Sequence, residues 1–391
     1  MPVRATKRGT DRTPLGRDCD VLICGGSFAG LAAARELAGS GARVLMIDRY
    51  EIGERQTSAC AMPTDWLSAM ELTDSFRQEF DELVVHTPHR TSRWSLPWSF
   101  STFDYRELCA LMWDQGDDEN LEFETATVTG RRGQTVITDR GELNAPLVID
   151  ALGWRRVLSN ATPIQPPEAR LSRGLEVHPP GTGEEMELWL DSGYIRAGYG
   201  WSFPARDELR VGIGSFWPSH HVKEPTVRLA AKLGLPAEGY QGNWIPHQLR
   251  RAVEDGIFFA GDSAGHCLPL TAEGIRTAIY FGLACGRELR TVIEGGQTRA
   301  QALSRYGAFS DSHERKFRWL LYVQRAIGQI TPSRAATAVT GAFESRRLSH
   351  WAFNHYLAIA PPSFVGAGPA ALSARAKRRT PSSMAGSARL A

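Results

Sequence analysis

The chain has 391 residues, 42% of them hydrophobic and 23% charged, which suits a protein of two or three lobes with a sizeable core. A net charge of +2 excludes a bulk basic field for nucleic acid, and the six cysteines (Cys19, Cys24, Cys60, Cys109, Cys267 and Cys285) form neither a Cys-x-x-Cys pair nor a zinc-spaced cluster with histidine. No hydrophobic segment follows the basic start and no run reaches about 18 apolar residues, so a cytoplasmic protein with reduced thiols is expected, without a secretory signal or a transmembrane helix.

Residues 1–17, with five arginines and lysines among Gly, Thr and Pro, read as a flexible leader. The unit that organises the chain follows. Residues 20–24 are a short apolar run, as expected of a strand buried on both faces. Gly25-Gly26-Ser27-Phe28-Ala29-Gly30 then opens an Ala-rich helix, and residues 44–47 form a second strand that ends in Asp48. This is a strand–turn–helix–strand unit with a dinucleotide fingerprint at its turn. Gly25 permits the tight turn, Gly30 lets the helix pack on the sheet, and the helix N-terminus presents N–H groups to a pyrophosphate. Ser27 stands where the pattern has its second glycine, and its hydroxyl can itself donate to phosphate. Asp48 can accept from ribose hydroxyls, which favours FAD or NAD over NADP.

A Gly- and Ser-bearing loop with Cys60 comes next. Residues 65–85 read as a helix, 86–103 as short strands and loops, and 104–113 as a helix whose Arg106 is long enough to reach a cofactor. Residues 121–128 and 134–138 read as strands of a hairpin turning at 131–133. Another buried strand at 147–149 ends in Asp150-Ala-Leu-Gly153. Residues 161–168, rich in proline, read as a connection between lobes. From 171 to 216 strand signals follow one another without long helices, which predicts an antiparallel sheet, and 222–235 read as a helix. The first pattern then returns, with a buried strand at 256–260, Gly261-Asp262, Pro269, and Thr271 as N-cap of a long helix running to about residue 293. Residues 298–360 read as helices with mixed basic and aromatic faces, and 361–391 as a disordered tail. Within that tail, Val365-Gly366-Ala-Gly368-Pro-Ala370 mimics a second fingerprint, but no strand or terminal acid follows it, so a single nucleotide site is expected.

These motifs resemble, in order and over about residues 18–295, the FAD-binding fold shared by para-hydroxybenzoate hydroxylase-type flavoproteins and geranylgeranyl reductases. Tyr199-Gly-Trp201-Ser-Phe203-Pro204 matches the YxWxFP signature of the geranylgeranyl reductases, and residues 242–246 resemble a loop that precedes their flavin motif. The resemblance implies an α/β, Rossmann-type FAD-binding fold with an antiparallel-sheet substrate domain and C-terminal helices. The expected FAD-binding domain is discontinuous (18–60, 104–160 and 250–296), the substrate domain takes 61–103 and 161–249, and a helical region takes 297–360. The resemblance implies non-covalent FAD held by Gly25, Gly26, Ser27, Phe28, Ala29, Gly30, Asp48, Arg49, Arg106, Val128, Gly261, Asp262, Pro269, Gly274 and Ile275. It implies an isoprenoid-binding wall of Tyr199, Trp201 and Phe203, and a flavin-side cysteine at Cys60 as the candidate catalytic residue. The implied activity is reduction of C=C bonds in an apolar substrate. The alternative is a monooxygenase or halogenase acting on an aromatic or terpenoid metabolite. The electron source, either NAD(P)H or a donor protein such as a reductase or ferredoxin, is left open, and the C-terminal helices are candidates for peripheral membrane contact.

Overall fold

Short runs of aliphatic residues buried on both faces build the first layer. In the computed structural model, which describes residues 13–16, 18–56, 58–161, 168–329 and 333–367, β1 (Val21–Cys24) leads into α1 (Phe28–Leu37) and β2 (Val44–Asp48). β3 (Ala61–Pro63), α2 (Thr64–Ala69), β4 (Phe76–Thr87), β5 (Arg90–Phe103) and α3 (Tyr105–Gly116) follow. Then come β6 (Leu121–Thr125), β7 (Val128–Arg132), β8 (Thr135–Thr138), β9 (Gly141–Leu143) and β10 (Leu147–Asp150). The middle of the chain forms β11 (Leu171–Val177), β12 (Met186–Trp189), β13 (Gly198–Pro204), β14 (Leu209–Ser215), α4 (Lys223–Lys232) and β15 (Gln241–Pro246). It closes with β16 (Val253–Glu254), β17 (Ile257–Phe259) and five helices: α5 (Ile275–Ile293), α6 (Arg299–Asp311), α7 (Glu314–Gln329), α8 (Ser333–Ala342) and α9 (Arg346–Leu357).

Two large sheets result. The first has the order β16-β17-β10-β1-β2-β6, parallel from β17 to β6. Its strands all come from the three segments 18–60, 104–160 and 250–296. The second has the order β15-β11-β14-β13-β12-β4-β5-β3, antiparallel except where β12 meets β4, and its strands come from 61–103 and 161–249. Helix α5 lies on α1 at very short range. A Cβ on Gly282 would sit 2.4 Å from the Ala29 carbonyl oxygen, and one on Gly286 would sit 2.6 Å from that of Ala33.

Several expectations need correction. The helix foreseen over 65–85 stops at Ala69, where Glu71 takes a left-handed φ of 56°. Most of the rest becomes β4, the first strand of the long hairpin β4–β5, in which Leu83, Val85 and Phe80 pack with Leu96 and Met186. The single strand read over 121–128 is two strands in different sheets, β6 and β7. Thr271 does not cap α5. Its hydroxyl accepts from the Glu273 N–H at 3.4 Å, Ala272 is left-handed (φ 52°), and the helix starts one turn later with Gly274 as N-cap.

Of the leader, 1–12 and 17 lie outside the described residues, but Leu15 is buried and its N–H donates to the Arg140 carbonyl. Of the connection at 161–168, residues 162–167 lie outside the described set, as do 368–391 of the tail and with them half of the second fingerprint. The start of the tail is ordered: Phe364 is buried, and Arg287 donates to the carbonyls of Phe364 and Val365 at 2.9 and 2.7 Å. Among the described residues, no helix is long and apolar enough to cross a membrane.

Candidate active site

A cavity of about 660 Å³ is lined by residues of both sheets. One end is lined by Gly26, Ser27, Phe28, Ala29, Asp48, Arg49 and Val128, with Gly261, Asp262, Gly274 and Ile275 across from them. The other end is lined by Tyr199, Trp201 and Phe203 of β13, by Leu83, Leu188 and Leu190, and by Phe353 and Tyr356 of α9.

Two glycines of the fingerprint, Gly25 and Gly30, have a measurable reason. Gly25 has φ 118°, and a Cβ there would strike the Ala151 carbonyl oxygen at 2.3 Å; on Gly30 it would strike the Gly25 carbonyl oxygen at 1.9 Å. Neither faces the cavity: both act by packing. Ser27 caps α1 without a side-chain hydrogen bond, so the first N–H groups of the helix are left for a ligand. Asp48 accepts from the Gly26 N–H at 2.8 Å and the Tyr50 N–H at 3.0 Å, one on each oxygen, and each oxygen keeps a second lone pair for a ribose hydroxyl. Burial pushes its carboxyl up, against the pull of these two donors.

The mid-chain motif is a brace. Buried Asp150 accepts from the N–H groups of Leu152 (3.0 Å) and Leu158 (2.8 Å) and from the Ser263 hydroxyl (2.6 Å). It thereby ties the Asp150-Ala-Leu-Gly153 turn to the Gly261-Asp262-Ser263 turn. Asp262 behind it faces the cavity and takes no hydrogen bond from a protein donor among the described residues; burial pushes its carboxyl up to about 6, with Arg250 pulling the other way. An acid left without a protein donor at a cleft fits an acceptor for cofactor hydroxyls, and the donor-rich turn opposite fits a pyrophosphate.

The raised carboxyl has a consequence for stability. In the FAD-free protein, Asp262 favours the fold fully below its ordinary value of 3.8 and loses that contribution as pH rises through about 6. Asp262→Asn is therefore expected to raise the stability of FAD-free protein at pH 8 by up to about 3 kcal/mol and to leave it unchanged at pH 3.5. Denaturant melts at the two pH values check this.

Two expected cofactor contacts fall elsewhere. Arg106 is exposed on the outer face of α3, with its backbone against Gly53, while its neighbour Tyr105 lines the cavity and meets the Ser27 hydroxyl at 3.4 Å. Pro269 is buried outside the lining, and its carbonyl accepts from Gln324. Helical phase explains the first: Asp104 caps α3 on the Glu107 N–H, which aims Tyr105 inward and Arg106 outward.

Cys60 lines the cavity and is fully buried in a left-handed conformation (φ 52°). Its thiol donates to the Ser58 carbonyl at 3.2 Å, and burial pushes it far above its ordinary range, so it remains protonated at neutral pH and is no thiolate nucleophile. Its backbone is held by buried Arg210, which donates to the carbonyls of Ala59 (2.8 Å), Cys60 (3.3 Å) and Phe103 (2.9 Å).

The aromatic wall is laid on a floor of glycines. Tyr199, Trp201 and Phe203 sit at alternate positions of β13 and turn to the cavity, while Gly200 and Ser202 are buried behind. Across the ladder, Trp201 pairs with Gly212, and a Cβ on Gly212 would lie 2.3 Å from the indole; Gly214 (3.4 Å) and Gly174 (3.6 Å) complete the floor. The Tyr199 hydroxyl donates to the Thr271 carbonyl, which links this wall to the segment entering α5.

A model of the family described as FAD dependent oxidoreductase matches residues 20–159, the segment carrying the fingerprint and the Asp150 brace. The digeranylgeranylglycerophospholipid reductase 3 of Methanosphaera stadtmanae is 26% identical over 76% of this chain and 83% of its own. The protein is an FAD-dependent oxidoreductase. The fold of the oxidoreductase agrees. A geranylgeranyl bacteriochlorophyll reductase-like protein from Thermoplasma acidophilum superposes with a TM-score of 0.76 at 18% identity, over 90% of this chain and 98% of that one. A probable FAD-dependent monooxygenase from Pseudomonas aeruginosa follows with a TM-score of 0.58 at 18% identity, over 85% and 98%.

Motif reading missed Tyr105, the α9 aromatics Phe353 and Tyr356, and the buried acid Glu176, all of which line the cavity. Tyr105 could have been found from the cap at Asp104. The others reach the cavity only through tertiary packing.

Proposed function

We propose that this oxidoreductase reduces carbon–carbon double bonds of an isoprenoid or similarly apolar chain. The observation that supports this is the continuity of the cavity: the FAD cradle opens directly onto a wall of Tyr199, Trp201 and Phe203, faced by leucines and by Phe353. A long apolar chain can lie there with one double bond beside the cofactor. When bound, FAD supplies the hydride chemistry. The chain's own residues do the rest. Gly26 to Ala29, Asp48, Arg49, Val128, Asp262, Gly274 and Ile275 hold and orient the cofactor. The N-terminus of α5 places partial positive charge at the cleft, where it would favour negative charge on the bound cofactor. The aromatic wall positions substrate and excludes water. Cys60 contributes a neutral thiol to the wall. Electrons enter from NAD(P)H or from a donor protein.

Incubating reduced protein with geranylgeranyl diphosphate, without oxygen, tests the reading by product mass. Gain of two hydrogens per double bond supports it. An unchanged substrate together with oxygenated or halogenated products in air would support the second reading, a monooxygenase or halogenase, which the fold shared with the Pseudomonas aeruginosa protein favours.

The C-terminal helices support a peripheral membrane contact. Helices α7 and α9 each turn one face to the cavity, through Ile327 and through Phe353 and Tyr356. On their other faces Trp319, Tyr322 and Trp351 are more than half exposed, among the exposed cations Arg315, Arg318, Arg325, Arg346 and Arg347. Interfacial aromatics beside arginines suit an anionic lipid surface. The double variant Trp319→Ser, Trp351→Ser is expected to lose co-sedimentation with phosphatidylglycerol vesicles while keeping its flavin, and unchanged co-sedimentation would refute the contact.

A further inference from the structure

The reduction proposed above needs a proton as well as a hydride, and a buried polar chain ends in the cavity at a place no motif marks. Glu176 of β11 is 2% exposed and lines the cavity. It pairs across the ladder with Gly212, which pairs in turn with Trp201, so Glu176 and the aromatic wall share one face of the sheet. One carboxyl oxygen accepts from the Trp201 indole N–H at 3.2 Å, and the other meets His178 Nε2 at 3.0 Å. The far nitrogen of His178 lies 3.9 Å from the Glu208 carboxylate, whose side chain is 33% exposed. Arg210 pins Glu208 at 2.8 Å. The chain Glu208–His178–Glu176 thus runs from solvent to the cavity wall.

We propose that Glu176 is the proton donor of the reduction and that His178 and Glu208 recharge it from solvent; this rests on the reductase reading. Bound FAD in its reduced form would supply the hydride to one alkene carbon and be oxidised in doing so. At the other carbon a C–H bond forms as the Glu176 O–H bond breaks. The carboxylate left behind takes a proton from His178 Nε2, and the imidazole regains one at Nδ1 through Glu208.

The ionisable groups facing Glu176 are His178 beyond its own strand end, Glu208 just before β14, Arg210 on β14, and the Cys60 thiol from the loop before β3, whose proton Glu176 helps to hold. Cys60 is the competing donor, but its thiol is turned to the Ser58 carbonyl, and among the described residues it makes no hydrogen bond to an ionisable side chain. An acid beside the reacting atoms with its own route to solvent is the arrangement general acid catalysis requires.

The test uses full-length FAD-loaded protein. Glu176→Gln keeps an acceptor for Trp201 and removes the proton. It is expected to lower the rate at which geranylgeranyl diphosphate oxidises the reduced protein by about 10²–10⁴-fold, with flavin content and dithionite reduction unchanged. His178→Gln keeps the acid but removes the route that charges it, so turnover slows from the first cycle on.

A second readout needs no chemistry. Seating the fully saturated geranylgeraniol on Glu176 removes its water and favours the neutral carboxyl. Calorimetry of oxidised protein in buffers of different ionisation enthalpy should then show proton uptake in the wild type and none in Glu176→Gln. If the wild type fails to react with geranylgeranyl diphosphate, the reductase reading falls and this calorimetry alone judges Glu176. Wild-type turnover by Glu176→Gln, equal proton uptake in both proteins, or a loss of turnover in Cys60→Ala with Glu176→Gln still active would each overturn the assignment.

Discussion

Trp201→Ala is expected to lower turnover by about 100-fold while flavin content stays at the wild-type level. Trp201 is only half-buried, because its indole forms the cavity wall over the floor of Gly174, Gly212 and Gly214. Truncation opens the cavity without leaving a sealed void. The stability cost should therefore fall well below the roughly 3–5 kcal/mol of a tryptophan enclosed by core. What is lost is the surface that fixes the substrate and the N–H that orients Glu176. Trp201→Phe separates the two roles: it restores most of the wall but not the donor. Melting temperature, flavin absorbance and turnover on one sample decide the matter. A large drop in melting temperature with normal activity per folded molecule would show β13 to be a core strand and nothing more.

Gly282→Val is expected to produce the largest structural loss. Its new Cβ would lie 2.4 Å from the Ala29 carbonyl oxygen and 3.0 Å from the Ala29 Cα, both backbone atoms that cannot swing aside. Helix α5 must then lift from α1. Overpacking typically costs about 1–3 kcal/mol and more where the obstacle is backbone, so a loss of at least about 3 kcal/mol is expected. FAD retention should fall with it, because Ala29 and Ala278, the cavity-lining residues nearest this crossing, shift together. Gly130→Ala, where a Cβ meets nothing within 4 Å, is the matched control and should leave both properties intact.

The parts of the site that were legible are those in which local chemistry has no alternative. Gly25 and Gly30 admit no Cβ, Asp48 ends a buried strand, and the period-two aromatics of β13 can face only one way. The parts that were not legible depend on distant chain. The apolar residues of 65–85 fit a helical face well enough to hide a strand, and the turn that separates the two is made by Glu71, a residue type that seldom takes positive φ. Thr271 has the side chain of an N-cap, but Ala272 turns the backbone away before the helix can start. Arg106 and Tyr105 are neighbours in sequence, and only the phase set by the Asp104 cap decides which of them reaches the cavity. Glu176 is a lone acid in a strand of mixed character; its meaning comes from His178 past the end of that strand, Trp201 of β13 and Glu208 just before β14.

In the function proposed, reduced flavin in this protein meets a double bond rather than oxygen. Mixing reduced protein with geranylgeranyl diphosphate under argon, and following flavin absorbance in a stopped-flow instrument, tests that most directly. Substrate-dependent return of the oxidised spectrum with no oxygen present is the expected result. A flavin that stays reduced under argon, and on admission of air forms a C4a-oxygen adduct that substrate then consumes, would contradict it.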